Sequence, residues 1–347
     1  MSKISVHDKE KIIEIFDSLK EPGYRVKQLY TALYEGFVDN IDDLMNFSLS
    51  LREALKDKIR ISTLQTEVVQ KSKKDKTVKF LFKTDDGKLI ESVLMRHLTG
   101  RNTVCISSQI GCAMGCKFCS TGKMGLTRNL TGFEIVDQIM EVERFLKNEN
   151  GTKVTNIVFM GMGEPLANFE NVMKAVDVFC NEEKLNLSTR HVTISTSGIE
   201  PGIRGMIAMP YKVNLALSLH SADNYIRSQI MPVNNNFPLS MVMKAIDTYT
   251  KITKRRVFYE YIMIKDKTDT VSLAHQLVDL LKRRLAHVNL IPYNRANNQD
   301  EFEKSTKESI MKFSEILEQN GITCSIRYTL GDDIDAACGQ LATKAQK

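Results

Sequence analysis

The stretch Cys105-Ile106-Ser107-Ser108-Gln109-Ile110-Gly111-Cys112-Ala113-Met114-Gly115-Cys116-Lys117-Phe118-Cys119 decides how the rest of the chain is read. Cys112, Cys116 and Cys119 stand in a C-x3-C-x2-C spacing, and the short gaps keep the three sulfurs on one concave side of a loop. A structural zinc site prefers four ligands arranged as two separated pairs. An iron–sulfur cubane is usually held by four thiolates. Three thiolates would leave one iron without a protein ligand, and a substrate could bind at that open corner.

The rest of the composition is consistent with a folded globular chain. Of 347 residues, 42% are hydrophobic and 26% charged, enough for one large domain or a core with an appendage. The formal net charge of +6 permits a polyanionic partner without requiring one. The segment Met1–Lys11 lacks the apolar core of a signal peptide, and no apolar run has the length of a membrane span. Seven cysteines, three of them in one loop, do not form the pattern of a secreted disulfide framework. A cytoplasmic protein with no membrane partner is expected.

Outward from the loop, the chain divides in two. Before it, helical spacing predicts helices over 7–20, 24–34 and 41–55, followed by strands over 64–69, 78–83 and 90–95. Lys71, Lys73, Lys74 and Lys76 mark a basic hairpin tip, read either as a solvated loop or as a phosphate contact. From about residue 98 strands alternate with helices. The strands are expected over 104–108, 156–160, 191–196, 213–219, 257–264, 287–291 and 324–328. The helices are expected over 132–146, 171–180, 239–252, 271–284 and 307–319. Such alternation implies a parallel sheet with covering helices, curled into a barrel or doubly wound.

The strands end, on their carboxyl side, in small and polar residues: Gly161-Met162-Gly163-Glu164-Pro165, Ser195-Thr196-Ser197-Gly198, Ser218-Leu219-His220 and Pro292-Tyr293-Asn294. That is the edge at which α/β folds bind ligands. Gly161 and Gly163 either let the backbone approach a ligand or form a turn before a Pro-initiated helix. Glu164 would be an anionic partner for an ammonium group, and Ser195 and Asn294 suit a ribose or carboxylate. Cys338 lies in the acidic, Gly-flanked run Gly331-Asp332-Asp333-Ile334-Asp335-Ala336-Ala337-Cys338-Gly339, which argues against simple burial. Cys180 and Cys324 read as small buried hydrophobes. The clusters 254–256 and 282–284 read either as phosphate contacts or, in preference, as solvated helix faces.

The cysteine loop, ending Cys116-Lys117-Phe118-Cys119-Ser120-Thr121-Gly122, resembles that of the radical S-adenosylmethionine (SAM) enzymes. The fuller set is narrower. It comprises 105–112, Gly-Met-Gly-Glu-Pro-Leu at 161–166, Ser-Thr-Ser-Gly at 195–198, Ser-Leu-His at 218–220, Ile-Pro-Tyr-Asn at 291–294 and 331–341. In that order it resembles the RlmN/Cfr adenosine methyltransferases, from Tyr24 to Leu341. The resemblance implies a partial (β/α)6 radical-SAM barrel (98–335) behind a small N-terminal α+β RNA-binding domain (1–97), with a C-terminal segment (336–347).

It further implies that Cys112, Cys116 and Cys119 hold a [4Fe-4S] cluster whose non-protein-ligated iron chelates S-adenosylmethionine. Gly163, Glu164, Ser195, Ser218, Leu219, His220 and Asn294 match the positions lining that cofactor. Cys338 matches the methyl-carrying cysteine, Cys105 the resolving cysteine and Glu91 the proton acceptor. In the family's scheme the Cys338 thiolate takes a methyl group from one cofactor molecule. A radical from a second makes that methyl reactive toward an unstacked adenine, and Glu91 removes the ring proton. Cys105 then releases the product, leaving a Cys105–Cys338 disulfide.

The residues at 161–166, 195–198 and 331–335 are similar to the RlmN branch, which implies carbon 2 of an adenosine in the peptidyl-transferase region of 23S rRNA, with a tRNA anticodon-loop adenosine as second substrate. A flavodoxin or ferredoxin donor and a monomeric state are expected. The alternatives are a Cfr-type carbon-8 enzyme conferring antibiotic resistance and a non-catalytic metal-containing RNA-binding protein.

Overall fold

A computed structural model describes residues 3–294, 301–327 and 330–342. Fourteen strands occur among them. A short parallel pair, β1 (Ile4–Ser5) and β2 (Ile59–Arg60), ties the two ends of the N-terminal helical region together. There follow β3 (Leu64–Lys71), β4 (Val78–Thr84), β5 (Leu89–Arg96) and β6 (Asn102–Cys105), then a ribbon of β7 (Gln109–Cys112) and β8 (Gly125–Asn129). The remaining strands are β9 (Asn156–Phe159), β10 (Val192–Thr196), β11 (Asn214–Ser218), β12 (Val257–Met263), β13 (Ala286–Pro292) and β14 (Cys324–Ile326).

All but β1, β2, β7 and β8 form one sheet in the order β14-β13-β12-β11-β10-β9-β6-β5-β4-β3. From β6 to β14 neighbours are parallel, and a helix follows each of β6, β9, β10, β11, β12 and β13 before the next strand of this sheet. These are the six βα units of the expected partial barrel. The antiparallel strands β3–β5 expected in the N-terminal domain are not a separate sheet. β5 pairs with β6 through Val93↔Cys105 and Met95↔Thr103, so hydrogen bonding runs unbroken past residue 97. The tight turn His97–Arg101, closed by two backbone hydrogen bonds, folds β6 back on β5 and makes that continuity.

Helix 24–34 and helix 307–319 have the bounds that the apolar periodicity predicts. The single helix expected over 41–55 is instead a 3-10 turn at Ile41–Asp43 and a helix at Leu49–Lys56. Ser48 restarts it by accepting the Leu51 N–H, an N-cap that an uninterrupted helix could not accommodate. The ribbon β7–β8 and the helices Glu200–Ala208 and Asn224–Ile230 have no counterpart in the periodicity. The strand expected over 324–328 runs to Ile326, and Tyr328 and Thr343–Lys347 lie outside the described residues.

The N-terminal helices are anchored to the long helix Gly132–Asn150 by one buried polar knot. Asp137 accepts from His7 Nε2 at 2.8 Å and from the backbone N–H and hydroxyl of Thr63 at 2.7 and 2.5 Å, while His7 Nδ1 meets the Tyr34 hydroxyl at 2.9 Å. Burial works against the Asp137 carboxylate, but the charge and hydrogen bonds of His7 and Thr63 hold it below the usual aspartate range. Its stabilisation is therefore fully present above the ordinary aspartate pKa and is lost as pH falls through the folded value. Asp137→Ala, which leaves the other polar groups buried without a partner, is expected to cost about 3 kcal/mol by urea denaturation. An unchanged midpoint would refute the anchoring role.

Candidate active site

The ribbon presents the cysteine loop at the carboxyl edge of the sheet. Cys112 ends β7, and Gly111 just before it has φ +76°. A Cβ there would lie 1.9 Å from the Gly125 carbonyl oxygen, so only glycine lets β7 and β8 pair at this point. Cys119 caps the helical turn Ser120–Lys123, and its N–H donates to the Cys116 carbonyl at 3.1 Å. The Lys117 N–H reaches the Ile230 carbonyl at 3.0 Å, and the Phe118 ring stands edge-on to His220 at 4.7 Å. The loop is thereby fixed to the segment after β11.

Burial pushes the Cys112 thiol up to about 12, with Glu164 and Cys119 adding to it. Cys116 is raised still further, by burial and then by Cys119, Cys112 and Glu164, with Arg227 opposing. Cys112 and Cys116 thus feel each other and Cys119, and burial disfavours a bare thiolate at either of them. An all-sulfur donor set selects soft metals and iron–sulfur clusters. Among the described residues no three such side chains converge on a single ion position. A cubane asks for something else, one iron per thiolate, and the three thiols of the loop are donors of the kind it takes.

Behind the loop, the strand ends form a shelf. The glycines of 161–163 serve the chain itself: a Cβ on Gly161 would fall 2.7 Å from Ile106, and one on Gly163 (φ +98°) 2.5 Å from the Gln109 side chain. They let the segment after β9 run close against residues 106–109, a use within the chain that neither reading of these glycines anticipated. Glu164 is buried and accepts from the Leu166 and Ser197 N–H groups at 3.0 and 2.7 Å. Burial nevertheless pushes its carboxyl above the usual range. Ser195 lies in β10, Ser218 ends β11, and Asn294 follows β13 at the same edge.

His220 is buried in the left-handed region at φ +57°. Its Nδ1 accepts the Ile262 N–H at 3.1 Å, which puts the ring proton on Nε2. Burial, then the neighbouring Arg227, lowers it to about 3, so it stays neutral.

Arg227 carried no sequence signal, yet it holds the shelf together. Fully buried, it donates to the carbonyls of Leu219 (3.0 Å), Ser197 (2.6 Å) and Ser218 (3.2 Å) and to Asn234 Oδ1 (2.5 Å). Those partners are neutral, and burial lowers it to about 10 with Cys116 opposing the shift.

A cavity of about 90 Å³ opens beside the loop. Cys105, Cys119, Cys338, Met160 and Gly161 are among its walls, so residues 233 positions apart in sequence share one space. Cys105 ends β6, and its thiol is pushed up by burial and then by Cys338. Cys338 is an exposed residue on the cavity wall; its thiol is raised, first by desolvation from the protein atoms around it and then by Glu260, against the pull of Arg327. All seven cysteines are free thiols, so the expected Cys105–Cys338 disulfide is not a bond of this structure. Glu91 is buried on β5, paired with Lys79 at 3.1 Å, and accepts the Ala342 N–H at 2.9 Å.

Residues 106–277 match the model of the radical SAM superfamily, and residues 6–61 match that of the ribosomal RNA large subunit methyltransferase N-terminal domain. The chain is 43% identical over 330 residues to the probable dual-specificity RNA methyltransferase RlmN of Streptococcus suis, covering 94% of this chain and 89% of that one. To the protein of the same name in Enterococcus faecalis it is 41% identical, over 100% of this chain and 98% of the relative. The chain belongs to the RlmN family. A crystal structure of a radical SAM methyltransferase from Sphaerobacter thermophilus superposes with a TM-score of 0.94 at 38% identity, covering 98% of this chain and 100% of the other. An RlmN-family radical SAM fold implies a [4Fe-4S] cluster and S-adenosylmethionine, and the sulfur set described above fits the cluster.

Within this RlmN-family chain the basic runs find different uses. Lys71, Lys73, Lys74 and Lys76 are exposed, but the backbone of their tip grips the C-terminal segment: Asp333 accepts from Ser72 Oγ (2.8 Å) and the Lys73 N–H (2.9 Å), and Asp75 accepts from the Gly331 N–H (2.9 Å). Arg255 binds Asn214 and Thr189, and Arg284 pairs with Asp247, both just before strands β12 and β13 and so at the edge opposite the site. Cys180 is buried as expected, and Cys324 is half-buried against Ser314. Arg227→Met would strip the donor from those strand-end carbonyls. We expect a loss of about 2 kcal/mol in denaturant unfolding, and a parental midpoint would show that the tie is dispensable.

Proposed function

We propose that this chain methylates carbon 2 of an adenosine in the peptidyl-transferase centre of 23S rRNA, and an adenosine in the tRNA anticodon loop, through a methyl-carrying Cys338. The observation that carries the reading is the cavity in which Cys105, Cys338 and the loop cysteine Cys119 share walls. The residue pattern of the RlmN branch at 161–166, 195–198 and 331–335 supports carbon 2 over carbon 8.

Cys112, Cys116 and Cys119 would hold the cluster, leaving one iron free of protein ligands, and Gly163, Glu164, Ser195, Ser218, Leu219, His220 and Asn294 would line the cofactor. When bound, these groups would supply the methyl group and the radical that makes it reactive. The remaining steps belong to side chains. Cys338, as a soft thiolate, would accept the methyl group, its new sulfur–carbon bond forming as the donor's sulfonium–methyl bond breaks and a neutral thioether leaves. Glu91 takes up the proton displaced from the ring carbon. The Cys105 thiolate then attacks the Cys338 sulfur: a sulfur–sulfur bond forms, the sulfur–carbon bond breaks, and the carbon leaves with that electron pair and takes a proton to complete the new methyl group. The disulfide is on this reading a transient of turnover, which the free thiols of the resting structure accommodate.

The helical region and small sheet of 1–97 would serve as the RNA-binding accessory part, 98–335 as the barrel and 336–347 as the methyl-carrying segment. RNA as substrate supports action in the cytoplasm, as a monomer fed electrons by a flavodoxin or ferredoxin. No helix among the described residues is long and apolar enough to cross a membrane.

The decisive experiment is anaerobic reconstitution followed by mass spectrometry of digested 23S rRNA and tRNA. The expected product is 2-methyladenosine. 8-Methyladenosine as main product would overturn the position assignment, and no methylation at all would leave an RNA-binding metalloprotein. Cys112→Ala, Cys116→Ala or Cys119→Ala should each lose iron and visible absorbance while keeping far-UV circular dichroism. Cys105→Ala should accumulate protein covalently joined to RNA on a denaturing gel with the cluster intact, and absence of that adduct would exclude a resolving Cys105.

A further inference from the structure

Beside the cavity, paired in the sheet with its wall residue Val93, lies a buried cation to which the scheme above assigns no step. Register aligns Lys79 on β4 with Val93 on β5, and Val93 with Cys105 on β6. Glu91, two residues before Val93, faces the same side. Lys79 and Glu91 are therefore diagonal neighbours, Nζ 3.1 Å from Oε1, with side chains 3% and 1% exposed. Each member of this pair also holds the segment bearing Cys338. Lys79 Nζ donates to the Asp335 carbonyl at 3.4 Å, and the Ala342 N–H donates to the second Glu91 oxygen at 2.9 Å. Cys338 sits between these two anchors.

Other bonds hold the same segment without involving a charge that the reaction changes: the Ser120 N–H to the Gly339 carbonyl at 2.8 Å, Thr121 Oγ1 to the Leu341 carbonyl at 2.7 Å, and the Ser72, Lys73 and Asp75 contacts further out. The inner anchors differ because both depend on the carboxylate. A charged carboxylate accepts more strongly than a neutral acid, and an ammonium in a dry site needs an anion beside it.

We propose that Lys79 is a positioning residue which makes the seating of the Cys338 loop conditional on the negative charge of Glu91. This rests on the reading of Glu91 as acceptor of the ring proton. Uptake of that proton neutralises Glu91, weakens its hold on Ala342 and leaves Lys79 without its anion. The loop is released in the step that completes the chemistry on the base, when Cys105 must reach the Cys338 sulfur and the RNA must leave. No redox change is involved; one proton moves from the ring carbon to the carboxylate.

The test uses full-length, cluster-loaded protein without RNA. Cys338 alkylation by iodoacetamide is followed by peptide mass spectrometry, with hydrogen exchange over 331–342 read in parallel. Glu91→Gln keeps the shape and removes the charge; it should raise both rates about ten- to a hundredfold, the scale of one charge-assisted hydrogen bond. Lys79→Met should do the same, the double variant should add little to either single change, and Lys79→Arg should restore slow labelling. Parental rates in Glu91→Gln, or equally fast labelling in Lys79→Arg and Lys79→Met, would overturn the proposal. Methylation assays on Glu91→Gln separate the two readings. A loosened loop with intact turnover supports the seat and removes the proton-acceptor role; a tight loop with lost turnover does the reverse.

Discussion

The main sheet does not close. β14 ends one edge and β3 the other, and among the described residues they do not pair. A closed barrel would bury every strand edge and leave no way in from the side. β14 ends at Ile326, and at Gly331 and Asp333 the C-terminal segment is held at the other edge by the β3–β4 hairpin tip. That hold accompanies the placing of Cys338 in one cavity with Cys119 and Cys105. The antiparallel extension β3–β5 makes this possible, since it supplies the hairpin tip, the cavity-wall residue Val93 and, next to it in the sheet, the pair Lys79 and Glu91.

The second theme is charge held without water. Arg227 sits fully buried among neutral oxygens, Glu164 is buried with two backbone donors, and the loop thiols are raised by burial. Each alone is an expensive arrangement in a low-dielectric interior. Together they place a guanidinium, a carboxyl and raised thiols within one buried site at the strand ends. Lys79 and Glu91 are the contrasting case, a buried pair that is already balanced and therefore sensitive to one proton.

Much of the barrel was legible because its signals are local. Helix periodicity alone places 24–34 and 307–319, and the alternation after residue 98 delivers six βα units. Errors came where a capping side chain or a short apolar run overrode periodicity. Ser48 splits the helix expected over 41–55, and the strands β7 and β8, four and five residues long, are too brief to show alternation. The basic tip at 71–76 was read by its lysine side chains, while its structural partners are backbone N–H groups, Ser72 and Asp75. Arg227 gave no signal because nothing in its local sequence distinguishes a buried arginine from an exposed one on a short helix.

By itself, then, the sequence determined the cysteine loop and the strand-end series, since cysteine spacing and strand periodicity are properties of adjacent residues. It also supplied the resemblance that pairs Cys105 with Cys338. Only the tertiary structure decided that these two cysteines share a cavity, that Arg227 ties the ends of β10 and β11, and that Lys79 and Glu91 jointly seat the C-terminal segment. The physical reason is separation along the chain. Ser72 and Asp333 are 261 positions apart, and Glu91 and Ala342 are 251 apart. Contacts of that range depend on how the whole sheet curls, which no local pattern records.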